Sequence, residues 1–305
     1  MELALYTHPD MLGHRPGARH PERPERLTAV IDALDDADMR LERREAPLID
    51  DADLAAVHGK AYIASIADTA PTDGLRVLDA DTAMSPGSLA AARRAAGAVT
   101  AAARAVARGD IQRAFCAVRP PGHHALPGRA MGFCLFSNVA VAARAAQKAG
   151  LARVAVADFD VHHGNGTQAV FETDASLFLA SVHQRPAYPG TGDPRERGVG
   201  NIANATVPPG AAREIWRASF ESLMSRMDAF APDLVIVSAG FDAHARDPLA
   251  EQTLEAEDFA WATRAIVAVA NVRAGGRIVS SLEGGYDLEA LGRSAVAHVR
   301  ALGEA

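Results

Sequence analysis

Short apolar runs rich in β-branched residues alternate along the chain with longer segments whose apolar positions recur every three or four residues. Leu3–Tyr6, Ala114–Val118, Val154–Asp160, Leu177–Val182, Leu234–Ala239 and Arg277–Leu282 read as strands. Strands separated by helical segments imply crossover connections and a mainly parallel sheet covered on both faces. Ser85-Pro86-Gly87 opens an alanine-rich helix that closes at Arg108-Gly109, with a hydroxyl for a cap, proline in the first turn and glycine at the stop. A second helix starts at Ser137 or Asn138 and ends at Ala149-Gly150. Ile215, Trp216, Phe220, Leu223, Met227 and Phe230 form an amphipathic stripe of the kind that packs on a core. No repeat, low-complexity tract or linker divides the chain, so residues 1–305 are expected to form a single α/β domain. Glycine and proline cluster just after the apolar runs, at the carboxyl ends of strands, where open parallel sheets present ligand-binding loops.

Composition narrows the function. With 49% hydrophobic and 23% charged residues the chain is globular rather than disordered. A net charge of −7 argues against direct nucleic-acid binding, which depends on neutralising phosphates. Cys116 and Cys134 are the only cysteines, too few for a disulfide framework or a thiolate zinc site, and they suit a reducing compartment. The start, Met1 to Tyr6, has no basic segment followed by a long apolar one, and no apolar run reaches membrane-spanning length. A soluble, cytoplasmic protein with no membrane partner is expected.

The segment Asp158-Phe159-Asp160-Val161-His162-His163-Gly164-Asn165-Gly166 carries the densest chemistry. On a continuing strand, Asp158, Asp160 and His162 share one side, a half-site of oxygen and nitrogen donors that suits catalytic zinc. An Asp-x-Asp pair also serves to cap a neighbouring helix, but the attached His-His-Gly-Asn-Gly favours the metal. Asp242, at the end of the run Val235–Ala239 plus Gly240-Phe241, is a candidate third ligand, although a lone aspartate there is also a common turn residue. Arg119-Pro120-Pro121-Gly122-His123-His124 follows another strand, and its prolines and glycine allow the bend that brings adjacent imidazoles to one site. A histidine near neutral pKa can take a proton from an attacking water and return one to a leaving amine. Glu283-Gly284-Gly285-Tyr286 ends the last strand, where paired glycines permit close approach and Tyr286 can donate to an oxyanion.

Together these segments resemble the histone deacetylase superfamily, including its class II and bacterial amidohydrolase members. The resemblance rests on His20-Pro21-Glu22-Arg23-Pro24-Glu25-Arg26-Leu27, Pro120–His124, Gly132-Phe133-Cys134-Leu135-Phe136-Ser137-Asn138, Asp158–Gly166, Ser181-Val182-His183-Gln184, Tyr188-Pro189-Gly190-Thr191-Gly192, Ala239–Asp242 and Glu283–Tyr286, in family order over almost the whole chain. It implies the arginase/deacetylase fold, a three-layer α/β/α sandwich around a mostly parallel eight-stranded sheet. It implies zinc on Asp160, His162 and Asp242, with His124 as general base and His123 as electrostatic partner or proton donor. Asp158 is then expected to orient His123, Asn165 to orient His124, and Tyr286 to stabilise the oxyanion beside zinc. Phe133 and Tyr188 match the aromatic pair lining the substrate tunnel, whose wall Gly132 completes. A monovalent cation, usually potassium, is implied on Asp158, Asp160, His162, Ser181 and Val182.

Two positions depart from the family pattern. The rim aspartate that grips substrate backbone aligns loosely, with Asp79 and Asp81 both candidates. Leu249 stands where a polyamine-preferring relative carries a glutamate, which leans toward acyl-lysine-like substrates. The leading expectation is therefore zinc-dependent hydrolysis of an acetyl or other acyl group from an acyl-lysine-like amine. An acetylpolyamine or other small N-acyl amine is the second, and for that substrate class a homo-oligomer that narrows the tunnel is expected. A dimanganese ureohydrolase of the same fold needs Asp-x-His-x-Asp bridging segments, which differ from Asp158-x-Asp160-x-His162. A non-catalytic binding protein would be expected to have lost a ligand, the histidine pair or the tyrosine.

Overall fold

The structure, a computed structural model, describes residues 3–304; Met1, Glu2 and Ala305, the outermost residues of the expected domain, lie outside it. The chain runs β1 (Leu3–Thr7), α1 (Glu25–Asp36), β2 (Leu41–Glu45), α2 (Asp51–Leu54), α3 (Lys60–Thr69), a small antiparallel pair β3 (Arg76–Val77) and β4 (Ala83–Met84), α4 (Ser88–Arg108), β5 (Arg113–Cys116) and α5 (Asn138–Lys148). It continues through β6 (Val154–Asp158), α6 (Asn165–Phe171), β7 (Leu177–Gln184), β8 (Ile202–Val207), α7 (Arg213–Phe230), β9 (Leu234–Ala239), α8 (Ala256–Arg273), β10 (Ile278–Leu282) and α9 (Leu288–Gly303). Eight strands form one all-parallel sheet in the order β2-β1-β5-β10-β9-β6-β7-β8. Helices α4 and α5 pack together on one face, and α1, α9, α8 and α7 pack in a row on the other. Because both faces are covered, β5, β6, β7, β9 and β10 are buried along their whole length.

The six expected strands are present, Leu234–Ala239 with the expected bounds and the other five with end shifts, and three differences have physical causes. The strand expected over Val154–Asp160 ends at Asp158, so Asp160 and His162 sit on a bend rather than on a continuing strand face. The edge strands β2 and β8 escaped the apolar pattern: β2 reads Leu-Glu-Arg-Arg-Glu and β8 carries Asn204 and Thr206. Charged side chains on an edge discourage pairing with another chain. Helix α4 begins at Ser88 with Gly87 at its cap, so Ser85 is not the capping hydroxyl; its Oγ donates to Gly13 O instead. Gly109 does end that helix in the left-handed conformation, at φ 78°. In α7, Trp216, Phe220, Leu223 and Met227 are buried, while Ile215 faces outward at 50% exposure. Both cysteines are free and buried. Among the described residues, no helix is long and apolar enough to cross a membrane.

A second, smaller apolar cluster lies beside the main core and includes Ile63, Ile66, Phe136 and Val141. His58 ties it to the start of α5. Its Nδ1 faces Pro127 O at 3.3 Å and its Nε2 accepts from Ser137 N–H at 2.9 Å, so the ring must stay neutral to accept. Burial depresses its pKa to about 4. The unfolded chain therefore binds a proton that the folded protein refuses, and stability falls as pH drops from about 6.5 toward 4. Denaturant midpoints at pH 7 and 4.5 should show wild type losing about 2 kcal/mol more than His58→Gln; equal losses would refute this role.

Candidate active site

The carboxyl ends of β5, β6, β9 and β10 meet at one place, because these strands are neighbours in the sheet order. From the end of β6 and the bend after it come Asp158, Asp160 and His162; from the turn after β9, Asp242; from the loop after β5, His123 and His124; from the turn after β10, Tyr286. His123, His124, Gly132, Phe133, His162, Tyr188, Leu249 and Tyr286 line a cavity of about 230 Å³, together with Asp81, Pro121 and Gly284.

Of its lining, His162 belongs to a cluster with the buried Asp160 and Asp242, in which each residue offers one donor atom and the three atoms lie within 4.8 Å of one another. His162 Nδ1 is 3.1 Å from Asp160 Oδ1 and 3.0 Å from Asp242 Oδ2. The remaining carboxylate oxygens are occupied from behind. Asp160 Oδ2 accepts from Gly284 N–H at 2.8 Å, and Asp242 Oδ1 accepts from Val161 N–H at 2.9 Å. This backing leaves one oxygen of each aspartate aimed at the imidazole. It also demands glycine, since a Cβ on Gly240 or Gly284 would collide with the Asp160 carboxylate. Burial opposes charge on His162, but hydrogen bonds and attraction from Asp160 and Asp242 outweigh it and hold its pKa up at about 10. Two buried carboxylates thus demand a cation between them. A tetrahedral ion with bonds of about 2.0–2.2 Å places its donors about 3.3–3.6 Å apart, close to the spacing found, and an oxygen and nitrogen set without thiolate fits a catalytic metal. The residues present fit such an ion.

Asp158 does not join this cluster. Its Oδ2 faces His123 Nδ1 at 3.0 Å, while its Oδ1 accepts from Asp160 N–H. The far nitrogen of His123 lies 3.7 Å from Asp160 Oδ1, so the ring bridges the two aspartates. Burial resists its charging, yet Asp160 and Asp158 raise its pKa well above the usual imidazole value. His124 is opposite in character. Burial, and then the neighbouring His123 and His162, push its pKa well below the usual value. Its Nδ1 faces the amide oxygen of Asn165 at 2.8 Å, and an amide oxygen only accepts, so Nδ1 carries the hydrogen. Nε2 of His124 is then a free lone pair. The two rings of the dyad, with centroids 4.0 Å apart, are thus driven in opposite directions, His123 toward the protonated form and His124 toward the neutral one.

The cavity wall is a strained turn. Gly132 and Phe133 have φ of 57° and 67°, and the second is rare for an aromatic residue. Gly132 N–H donates to Asp81 Oδ1 at 3.0 Å and Phe133 N–H to Thr82 Oγ1 at 3.0 Å, which holds the turn in place. Gly132 also lies flat against the His124 ring, where any Cβ would clash. Of the two rim candidates, Asp81 lines the cavity, whereas Asp79 pairs with Arg129 at 2.7 Å on the surface. The Phe133 ring meets Tyr286 edge-on at 5.9 Å, and Tyr188 meets His124 at 5.1 Å. Leu249 sits at the mouth, 40% exposed.

Ser181 and Val182 lie on β7, and Ser181 is the register partner of Asp158. His183 Nε2 donates to Gly192 O at 3.0 Å, so its Nδ1 accepts from Ser181 Oγ at 3.0 Å and leaves the serine lone pairs open.

Several supporting residues were missed by sequence reasoning. Asp247 accepts from Tyr286 N–H at 2.7 Å and from Leu249 N–H at 3.0 Å, fixing both. Arg26 donates to the carbonyls of Gly285 and Glu283 and lies 4.8 Å from the Tyr286 ring. Glu22, wholly buried, takes Arg119 in a bidentate pair and Arg26 beside it. Their partners are mostly backbone atoms distant in sequence, and the only available signal was the charge-rich His20–Leu27 run.

A family model for the histone deacetylase domain matches residues 20–302. The chain is 39% identical to a histone deacetylase-like amidohydrolase of Pseudomonas aeruginosa, covering 91% of this chain and 74% of that protein. It is 35% identical to a probable deacetylase of Archaeoglobus fulgidus over 95% of this chain and 82% of the other, and 37% identical to rice histone deacetylase 10, chloroplastic, over 98% and 73%. The crystal structure of the HDA15 HD domain superposes with a TM-score of 0.93 at 36% identity, covering all of this chain and 89% of that one. The parallel eight-stranded sheet with helices on both faces is accordingly the arginase/deacetylase fold, and the chain belongs to the histone deacetylase family.

Proposed function

We propose that this chain, as one domain over residues 1–305, is a zinc-dependent amidohydrolase that removes an acetyl or similar acyl group from an acyl-lysine-like amine. The observation that carries the reading is the Asp160, His162 and Asp242 donor cluster, joined through His162 to a cavity of about 230 Å³ that His124 also lines, its Nδ1 facing Asn165 and its Nε2 left free.

Zinc, when bound, polarises the amide carbonyl and acidifies the attacking water. Nε2 of His124 takes the water proton, with Asn165 holding the ring in the tautomer that leaves this atom free. Protonated His123, paired to Asp158, offsets charge at the reacting centre and supplies a proton to the leaving amine nitrogen. The Tyr286 hydroxyl donates to the developing oxyanion. Gly132, Phe133 and Tyr188 form walls that accept a thin aliphatic stem and exclude water around it. Potassium fits beside Asp158, Asp160, His162, Ser181 and Val182, where the open Ser181 lone pairs support it. The half-exposed Leu249 at the mouth favours an acyl-lysine-like substrate over a polyamine carrying a distal ammonium. The net charge of −7 supports an amine substrate rather than a nucleic-acid partner, and the free, buried cysteines support a reducing, cytoplasmic setting.

The test is hydrolysis of an acetyl-lysine peptide, N-acetylputrescine and N8-acetylspermidine by zinc-loaded protein, with and without a hydroxamate chelator. Chelator-sensitive turnover, fastest on the peptide, is expected. Faster polyamine turnover would reassign the substrate and make a tunnel-narrowing homo-oligomer the next thing to measure. No turnover with zinc bound would contradict the hydrolytic reading.

Variants separate the roles. Asp242→Ala should lose zinc and activity together. His124→Ala should keep zinc and lose about 10²–10⁴-fold in kcat. Tyr286→Phe should keep zinc and lose about 10²–10³-fold. Zinc loss in His124→Ala, or full activity in Tyr286→Phe, would overturn the corresponding assignment.

A further inference from the structure

The adjacent imidazoles share one site because the backbone turns at Gly122-His123-His124 instead of continuing β5. That turn takes the N–H groups of Gly122 and His123 out of the sheet and leaves them in a buried place. Both donate to one atom, Oε2 of Glu283, at 2.6 and 3.2 Å. The other side of the turn is held by α6, whose Gly166 and Thr167 N–H groups donate to His123 O. Glu283 is fully buried, and its Oε1 has no hydrogen-bond partner among the described residues. Burying a carboxyl with one oxygen unpaired is costly, so space-filling alone does not account for it.

The backbone of Glu283 is engaged as firmly. Its N–H donates to Ala239 O on the strand that leads to Asp242, and its carbonyl accepts from Arg26 at 2.5 Å. The next N–H, of Gly284, supports Asp160. The side chain thereby joins the histidine turn to the segment that carries Tyr286.

We propose that Glu283 is a positioning residue: its Oε2 fixes the backbone of the His123–His124 turn, and through it the place of both imidazoles relative to Asp158, Asn165 and the donor cluster. The inference rests on the hydrolytic reading for its kinetic consequence. Its structural consequence stands without it.

Two mild substitutions separate reach from charge. Glu283→Gln keeps an acceptor oxygen at the same distance and loses the charge, whereas Glu283→Asp keeps the charge and withdraws the acceptor by one methylene. With the acetyl-lysine peptide, Glu283→Asp should lose about 10²-fold in kcat, the scale expected of a small misplacement, with KM and zinc content near wild type. Glu283→Gln should retain most of the wild-type kcat. A readout independent of turnover is the downfield proton of the His123 Nδ1–Asp158 hydrogen bond in histidine-labelled, metal-free protein. It should persist in Glu283→Gln and shift or broaden in Glu283→Asp. The proposal is overturned if Glu283→Asp turns over normally with that proton in place, if Glu283→Gln is the more damaged variant, or if both variants lose only folding stability. Absence of turnover in wild type would count against the hydrolytic reading alone, and the proton signal would still decide this one.

Discussion

Two buried carboxylates, Asp160 and Asp242, face one imidazole edge across about 3 Å, and the surrounding structure is built to tolerate that concentration of negative charge. Backbone N–H groups of Gly284 and Val161 take the rear oxygens, and glycine at 240 and 284 makes room for the Asp160 carboxylate. Such charges are not stable side by side in a low-dielectric interior without a positive partner. His162, whose pKa the two carboxylates raise to about 10, supplies that partner in the protein alone, and the same three donors suit a divalent ion.

That constraint propagates outward. Asp160 and Asp158 raise the pKa of His123, while burial and then His123 and His162 lower that of His124. Two adjacent residues of one type are thus shifted in opposite directions by their surroundings. Beyond them Glu22, buried against Arg119 and Arg26, anchors both the histidine turn and the Tyr286 turn. Breaking a buried, multiply bonded pair of this kind by removing one partner is strongly destabilising. The charge at the floor is therefore surrounded by elements with little freedom to relax.

The chemistry was legible because it is concentrated. The Asp158–Gly166 run, the Pro-Pro-Gly-His-His turn and the Glu-Gly-Gly-Tyr turn each follow an apolar strand, and strand ends in parallel sheets are where ligands bind. Asp160 and His162 converge on Asp242 through a bend after Asp158, not through strand alternation, and Asp158 serves His123 instead. β2 and β8 were hidden because edge strands need not be apolar on both faces. Asp247, Arg26 and Glu283 were hidden because they act on backbone atoms, which leave no pattern in side-chain sequence.

The most direct test is diffraction at the zinc absorption edge from crystals of protein carrying one equivalent of zinc. A single anomalous peak is expected between the carboxylates of Asp160 and Asp242 and Nδ1 of His162. A peak at another position, or one that includes Asp158 among its ligands, would contradict it.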